Sequence, residues 1–105
     1  MKFFVYSKNG CPHCVTAVGR IRTFQESAPD NHGELLDVFY VDADESKKEE
    51  LFKTLEGMGY PKPRTVPQIF FKEDDESELH YVGEGSDLPQ FLSYLRKKLG
   101  LKEEF

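Results

Sequence analysis

The chain has 105 residues, 38% of them hydrophobic and nine of them phenylalanine, which suits one domain spanning 1–105 with a real core and is too short for two. Its net charge of -5 argues against nucleic acid as the main partner, because such binding needs a basic surface to neutralise phosphates. The opening stretch has only four consecutive apolar residues, too few for the core of a signal peptide, and no run reaches membrane-spanning length. A cytoplasmic protein with no membrane partner is therefore expected, and in that compartment a cysteine pair points to catalysis rather than to structure.

Lys2 to Tyr6 reads as a first strand, and its continuous apolar run Phe3-Phe4-Val5-Tyr6 is that of a central strand covered on both faces. Next comes Asn9-Gly10-Cys11-Pro12-His13-Cys14-Val15, which holds the only two cysteines of the chain. If Pro12 opens a helix, Cys11 sits where unpaired backbone N–H groups and the positive end of the helix dipole converge. A free cysteine ionises near pH ~8.5, and such a position in a C-x-x-C motif lowers that by about one to several units. Cys11 is the candidate nucleophile. Cys14, almost one turn further in and more enclosed, is the candidate resolving thiol. Pro12 fits between them because the first helical turn needs no N–H there and its fixed φ pre-organises the turn. His13 is either a positive charge that tunes the thiolate or a solvated turn residue.

Other readings of the pair stay open at this level. A zinc site completed by His13 or a second subunit would need four ligands, and no second cluster of cysteine or histidine accompanies the first. A purely structural disulfide across so short a loop would remove little entropy from the unfolded chain.

From Val15 onward, Val18, Ile21, Arg22 and Phe24 to Gln25 carry a helical pattern through Ser27, and Pro29-Asp30-Asn31-His32-Gly33 stops it. His32 is expected to be an exposed loop residue. Leu36, Val38, Phe39, Tyr40 and Val41 form a second strand. Ser46-Lys47-Lys48-Glu49 reads as a capping box with Ser46 at the N-cap of a second helix, whose buried stripe is Leu51, Phe52 and Leu55. Gly57, Gly59, Pro61 and Pro63 end it. Thr65-Val66-Pro67-Gln68-Ile69-Phe70-Phe71 is a third strand that begins at a proline, since proline cannot donate to a ladder. An acidic turn, Lys72 to Glu78, leads to an antiparallel edge strand over Leu79 to Val82, with His80 facing solvent.

Gly83-Glu84-Gly85-Ser86-Asp87 makes the next turn, and Ser86 or Asp87 caps a final helix. Leu88, Phe91, Leu92, Leu95 and Leu99 give that helix one buried face, Arg96, Lys97 and Lys98 suit its negative end, and Gly100 stops it. Residues 101–105 are expected to fray. The order β-α-β-α-β-β-α predicts an α/β fold, a four-stranded mixed sheet flanked by three helices. A C-x-x-C after the first strand of such a unit is the redox arrangement of a thioredoxin-like fold.

Together, Cys11-Pro12-His13-Cys14, Thr65-Val66-Pro67 and Gly83-Glu84-Gly85-Ser86-Asp87 resemble the glutaredoxin family in motif order and spacing, from Lys2 to about Leu99. Thioredoxins proper match less well, since no tryptophan precedes the first cysteine and the inner dipeptide is Pro-His. The resemblance implies a dithiol glutaredoxin with glutathione as co-substrate and no metal, a monomer that acts on disulfide-bearing or glutathionylated proteins. Ribonucleotide reductase is a protein substrate it suggests, though no residue here selects it. It also implies that Val66-Pro67 is a cis bond facing the cysteines, with the Val66 backbone exposed to glutathione. Lys8 would serve the glycine carboxylate, Ser86 and Asp87 the γ-glutamyl end, and Thr65, Arg64 and Gln68 would assist. Two departures stand out. His13 replaces a tyrosine or phenylalanine, and Glu84 replaces the second glycine of a Gly-Gly pair, which puts a carboxylate near a site for an anionic ligand. Two alternatives remain open, a thioredoxin-like exchanger that does not use glutathione and a cysteine-ligated iron–sulfur or zinc module. Pro12 argues against the cluster, because cluster-binding relatives usually lack proline there.

Overall fold

The computed structural model describes residues 1–27, 36–74 and 76–100. The expected loop around His32 and the tail 101–105 lie outside the described residues. The elements are β1 (Lys2–Ser7), α1 (Pro12–Ser27), β2 (Leu36–Tyr40), α2 (Glu45–Gly57), β3 (Gln68–Lys72), β4 (His80–Glu84), a 3₁₀ turn (Gly85–Asp87) and α3 (Leu88–Leu99). The four strands form one sheet in the order β2-β1-β3-β4. β1 runs parallel to β2 and antiparallel to β3, and β4 is antiparallel to β3. This is the thioredoxin-like arrangement, a mixed sheet with three helices.

The central position of β1 follows from its composition. Strand alternation sends Phe3 and Val5 to one face and Phe4 and Tyr6 to the other, and both faces are covered. On the first face Phe3 and Val5 meet Ile69 and Phe71 of β3, Ala17, Ile21 and Phe24 of α1, and Leu88, Leu92 and Leu95 of α3. On the second, Tyr6 and Phe70 pack against Leu51 and Leu55 of α2. The first cluster is bound by aromatic edges: Phe3 meets Phe24, Phe71 and Phe91 at centroid separations of 6.3, 5.0 and 6.1 Å. α1 is thereby fixed against the sheet by residues three and four apart, and its first turn overhangs the end of β1.

Several local readings are corrected. α2 begins earlier than expected: Asp44, not Ser46, is its N-cap, and the Asp44 carboxylate accepts the Ser46 backbone N–H at 3.0 Å and the Ser46 hydroxyl at 2.6 Å. A full negative charge at the positive helix end outcompetes a hydroxyl, and the Ser46 hydroxyl becomes the donor. β4 extends to Glu84, so Gly83 and Glu84 are strand rather than turn. A 3₁₀ turn precedes α3, and Asp87 makes no side-chain cap to α3 itself. Leu99 is 37% exposed, outside the buried face of Leu88, Leu92 and Leu95. Phe52 is half-buried rather than part of the closed stripe.

Phe3 and Leu99 separate the two kinds of apolar position. Phe3→Ala is expected to cost about 3–5 kcal/mol through the cavity it leaves, whereas Leu99→Ala should stay within about 0.5 kcal/mol. Urea unfolding midpoints at constant slope measure both, and equal losses would refute the burial assignment.

Candidate active site

Cys11 stands immediately before α1, at the end of the loop that leaves β1. Pro12 has no N–H, so the first free backbone donors of the helix are those of His13 and Cys14. The Cys14 N–H donates to the Cys11 sulfur at 3.3 Å, as an N-cap side chain receives the third helical residue. Both cysteines are thiols. They are almost equally enclosed, Cys11 at 6% exposure and Cys14 at 4%, yet their acidities move in opposite directions. The Cys14 thiol donating to its sulfur is the largest influence lowering Cys11, ahead of burial, which opposes it. The backbone N–H groups of Cys14 and His13 and the charge of Lys8 lower it further. Cys14 is pushed up, first by burial and then by its donation to Cys11. The Ser7 hydroxyl, on the same β1 face as Phe3 and Val5, acts on Cys14 in the lowering sense without reversing it.

His13 and Pro12 are exposed. His13 acts on Cys11 through its backbone N–H, and it lines the cavity beyond the cysteine. The Val66–Pro67 bond is cis, and the Val66 carbonyl lies 3.9 Å from the Cys11 sulfur. The expected strand starting at a proline is therefore Gln68–Lys72, with Pro67 just outside it on the loop that faces the nucleophile.

Two hollows flank that Val66 backbone. One, of about 250 Å³, is bordered by Lys8, Asp42, Lys48, Arg64, Thr65 and Val66, with Phe52 at its floor. The other, of about 420 Å³, is bordered by His13, Arg20, Thr65, Val66, Glu84 and Ser86. Lys8 and Arg64 thus stand on one side of the Cys11–Val66 pair and Ser86 on the other, with Thr65 shared. Asp87 sits at the same end as Ser86, and its carboxylate accepts the Glu84 N–H at 3.0 Å. Among the described residues no group of three or more His, Cys, Asp or Glu converges as a metal site would require.

Gln68 proves to be more than an assistant. It is 1% exposed beside the apolar run Ile69 to Phe71, donates to the Thr65 carbonyl at 2.8 Å and accepts from the Tyr81 hydroxyl. A buried amide must be satisfied, and here its partners tie the Thr65-Val66-Pro67 loop to the sheet. The signal in the sequence was a lone polar residue inside Pro67 to Phe71. Glu84 was legible only as a departure from a pattern; its bond from the Thr65 hydroxyl, 2.8 Å long, joins residues 19 apart.

The glutaredoxin family model matches residues 3–75 of this chain. Among solved structures, the dithiolic glutaredoxin of Trypanosoma brucei brucei is 28% identical with a TM-score of 0.59, the match covering 95% of this chain and 84% of that one. Reduced glutaredoxin of Escherichia coli shares the fold at a TM-score of 0.63 and 24% identity, over 95% of this chain and 99% of its own. A wheat glutaredoxin does so at 0.50 and 23%, over 93% and 72%. A comparison with curated protein sequences finds no match. The Gly83–Asp87 stretch lies beyond the part that the family model matches, but β1, the cysteine pair, α2 and the cis-proline loop fall inside it. On that match the chain belongs to the glutaredoxin family and is a thiol-disulfide oxidoreductase.

Proposed function

We propose that this protein is a glutathione-dependent reductant of protein disulfides and glutathione mixed disulfides, acting as a monomeric single domain in the cytoplasm. The observation that carries the reading is the Cys11 sulfur, lowered toward thiolate by donors of α1 and placed 3.9 Å from the Val66 carbonyl, in the middle of a groove. An extended cysteinyl tripeptide laid along Val66 would bring its sulfur to Cys11. Its C-terminal carboxylate would fall toward Lys8 and Arg64, and its γ-glutamyl end toward Thr65, Ser86 and Asp87.

The steps follow from the two acidities. Cys11 thiolate attacks the glutathione sulfur of a mixed disulfide, a new S–S bond forms, and the protein sulfur leaves as a thiolate that takes up a proton. A second glutathione thiolate then attacks the glutathione sulfur bound to Cys11, releasing oxidised glutathione and restoring the Cys11 thiolate. When the substrate is a protein disulfide, the first attack leaves Cys11 joined to the substrate. Cys14 then loses its proton and displaces the substrate thiolate, closing a Cys11–Cys14 disulfide that two glutathione molecules reopen. Cys14, held protonated, resolves only once Cys11 no longer receives its hydrogen bond. Ribonucleotide reductase belongs to this second class of substrate and is a protein substrate we propose on family grounds alone.

An assay with a glutathione mixed disulfide coupled to glutathione reductase tests the reading. Wild-type protein should turn over, Cys11→Ser should be inactive toward both substrate classes, and Cys14→Ser should keep the deglutathionylating activity while losing protein disulfide reduction. The reverse pattern would exchange the two roles.

The pH dependence has a definite sign. Because Cys11 is lowered, its alkylation rate should reach half-maximum below the value of an ordinary exposed thiol, about 8.5. Cys14→Ala removes the largest cause of that lowering and should move the midpoint upward. Cys14→Ser, which keeps a hydroxyl donor, should move it less. An unchanged midpoint in Cys14→Ala would show that the helix end alone sets the acidity.

A further inference from the structure

Beside the nucleophile, Thr65, Glu84 and Asp87 close on one another. The Thr65 hydroxyl donates to Glu84 Oε1 at 2.8 Å. The Glu84 carboxylate also accepts the Asp87 backbone N–H, while Asp87 Oδ2 accepts the Glu84 N–H at 3.0 Å. Gly83 makes the arrangement fit: its φ is +121°, and a Cβ there would run into the Asp87 carboxylate. Of this set, Thr65 and Glu84 stand on the wall of the 420 Å³ hollow with His13, Arg20, Val66 and Ser86.

A hydroxyl from one loop and a backbone N–H from the next, converging beside a cavity, are the donors that a ligand carboxylate would use. In this protein both are already engaged, by a carboxylate of its own. An entering carboxylate would have to displace Glu84 and then sit beside Asp87, a like charge. An ammonium meets the opposite situation. It has only donors to offer, and the Glu84 carboxylate on the wall, with Asp87 bonded to its backbone N–H, has lone pairs left to receive them. Their negative field reaches the neighbouring wall, since Glu84 and Asp87 follow burial among the causes that raise the Tyr81 hydroxyl.

We propose that Glu84 is a specificity-determining residue: its side chain fills from within the seat that a substrate carboxylate would take, so the groove favours thiols whose distal end carries an ammonium and no carboxylate. The inference rests on the groove holding a tripeptide thiol and names which end of that thiol it accepts. The preferred class is low-molecular-weight amino-thiols lacking the α-carboxylate of the γ-glutamyl group.

The test compares two mixed disulfides of β-mercaptoethanol, one with glutathione and one with γ-aminobutyryl-cysteinylglycine, which is glutathione without that carboxylate. Single turnovers of the reduced protein are followed by thiol release. Wild type should react on the order of 10-fold faster with the decarboxylated substrate at limiting concentration. In Glu84→Ala the ratio should fall to near one or reverse, with the glutathione rate rising on the order of 10-fold. Glu84→Gln keeps the shape and an acceptor oxygen but not the charge, and should shrink the ratio while leaving the thermal midpoint near wild type. Equal rates for the two substrates in wild type, or a ratio untouched by both substitutions, would overturn the role of Glu84 while leaving glutathione dependence standing. Reaction of neither substrate faster than bis(hydroxyethyl) disulfide would instead overturn the glutathione reading, and the proposal with it.

Discussion

The sulfur of Cys11 is surrounded mainly by donors from the start of α1, and the chemistry of the site depends on that imbalance. Pro12 withdraws the nearest N–H, so the helix end offers those of His13 and Cys14, and the Cys14 thiol adds a third donor. A surrounding in which donors outnumber the one carbonyl, that of Val66, favours the anion. Since the principal donor is the other cysteine, stabilising one thiolate is the same event as destabilising the second. Two sulfurs of nearly equal exposure are thus made chemically unlike by burial, which weighs most on Cys14, and by the direction of the hydrogen bond between them. This direction is possible because β1 ends where α1 begins, and α1 is fixed by Ala17, Ile21 and Phe24 against the aromatic cluster around Phe3.

The alternation of β1 and β3 then divides support for the site between the two faces of the sheet. On the α1 and α3 face, the sequence Phe3, Val5, Ser7 runs from core to active site, and its last member is a buried hydroxyl. On the α2 face, Phe70 is core and Gln68, two residues nearer the site, is the buried amide that holds Thr65. The same period-two rule that packs the interior thus changes from carbon to hydrogen-bonding atoms at the edge where catalysis occurs. The loop opposite the nucleophile is thus tied to the sheet from the α2 face.

Much of this was legible in the residues. The continuous apolar run Phe3 to Tyr6 marks a central strand, and its covered faces agree. The C-x-x-C with proline inside it locates the nucleophile and the helix start together. Ala17, fully within the core, carried no such signal, because a small side chain adds little to a periodic pattern even where it packs most closely. At the start of α2 two capping patterns overlap, and local spacing does not say which oxygen prevails; charge decides for Asp44. Leu99 satisfies the helical spacing, but spacing gives direction and not the extent of burial. The link from Thr65 to Glu84 depends on tertiary register, which no local window contains. The cis geometry at Pro67 came from the family resemblance alone.

That register rests on an irregularity in β4. Gln68 lies opposite Glu84 and Ile69 opposite Gly83, but Phe70 lies opposite Tyr81, so β4 holds one extra residue between them. Without it, Val82 would face Phe70 and Tyr81 would face Phe71, which would turn the tyrosine to the α1 and α3 side, since a shift of one residue exchanges the faces. With it, Val82 packs into the cluster of Phe3 and Phe24, while Tyr81 joins Phe70 and reaches the Gln68 amide. Glu84 meanwhile keeps its place opposite Gln68, and the two residues take the Thr65 loop at separate atoms, the carbonyl by the amide and the hydroxyl by the carboxylate. One inserted residue therefore satisfies a buried amide and a core position together, and it leaves the backbone of Val66 presented to Cys11 by a loop anchored on both sides.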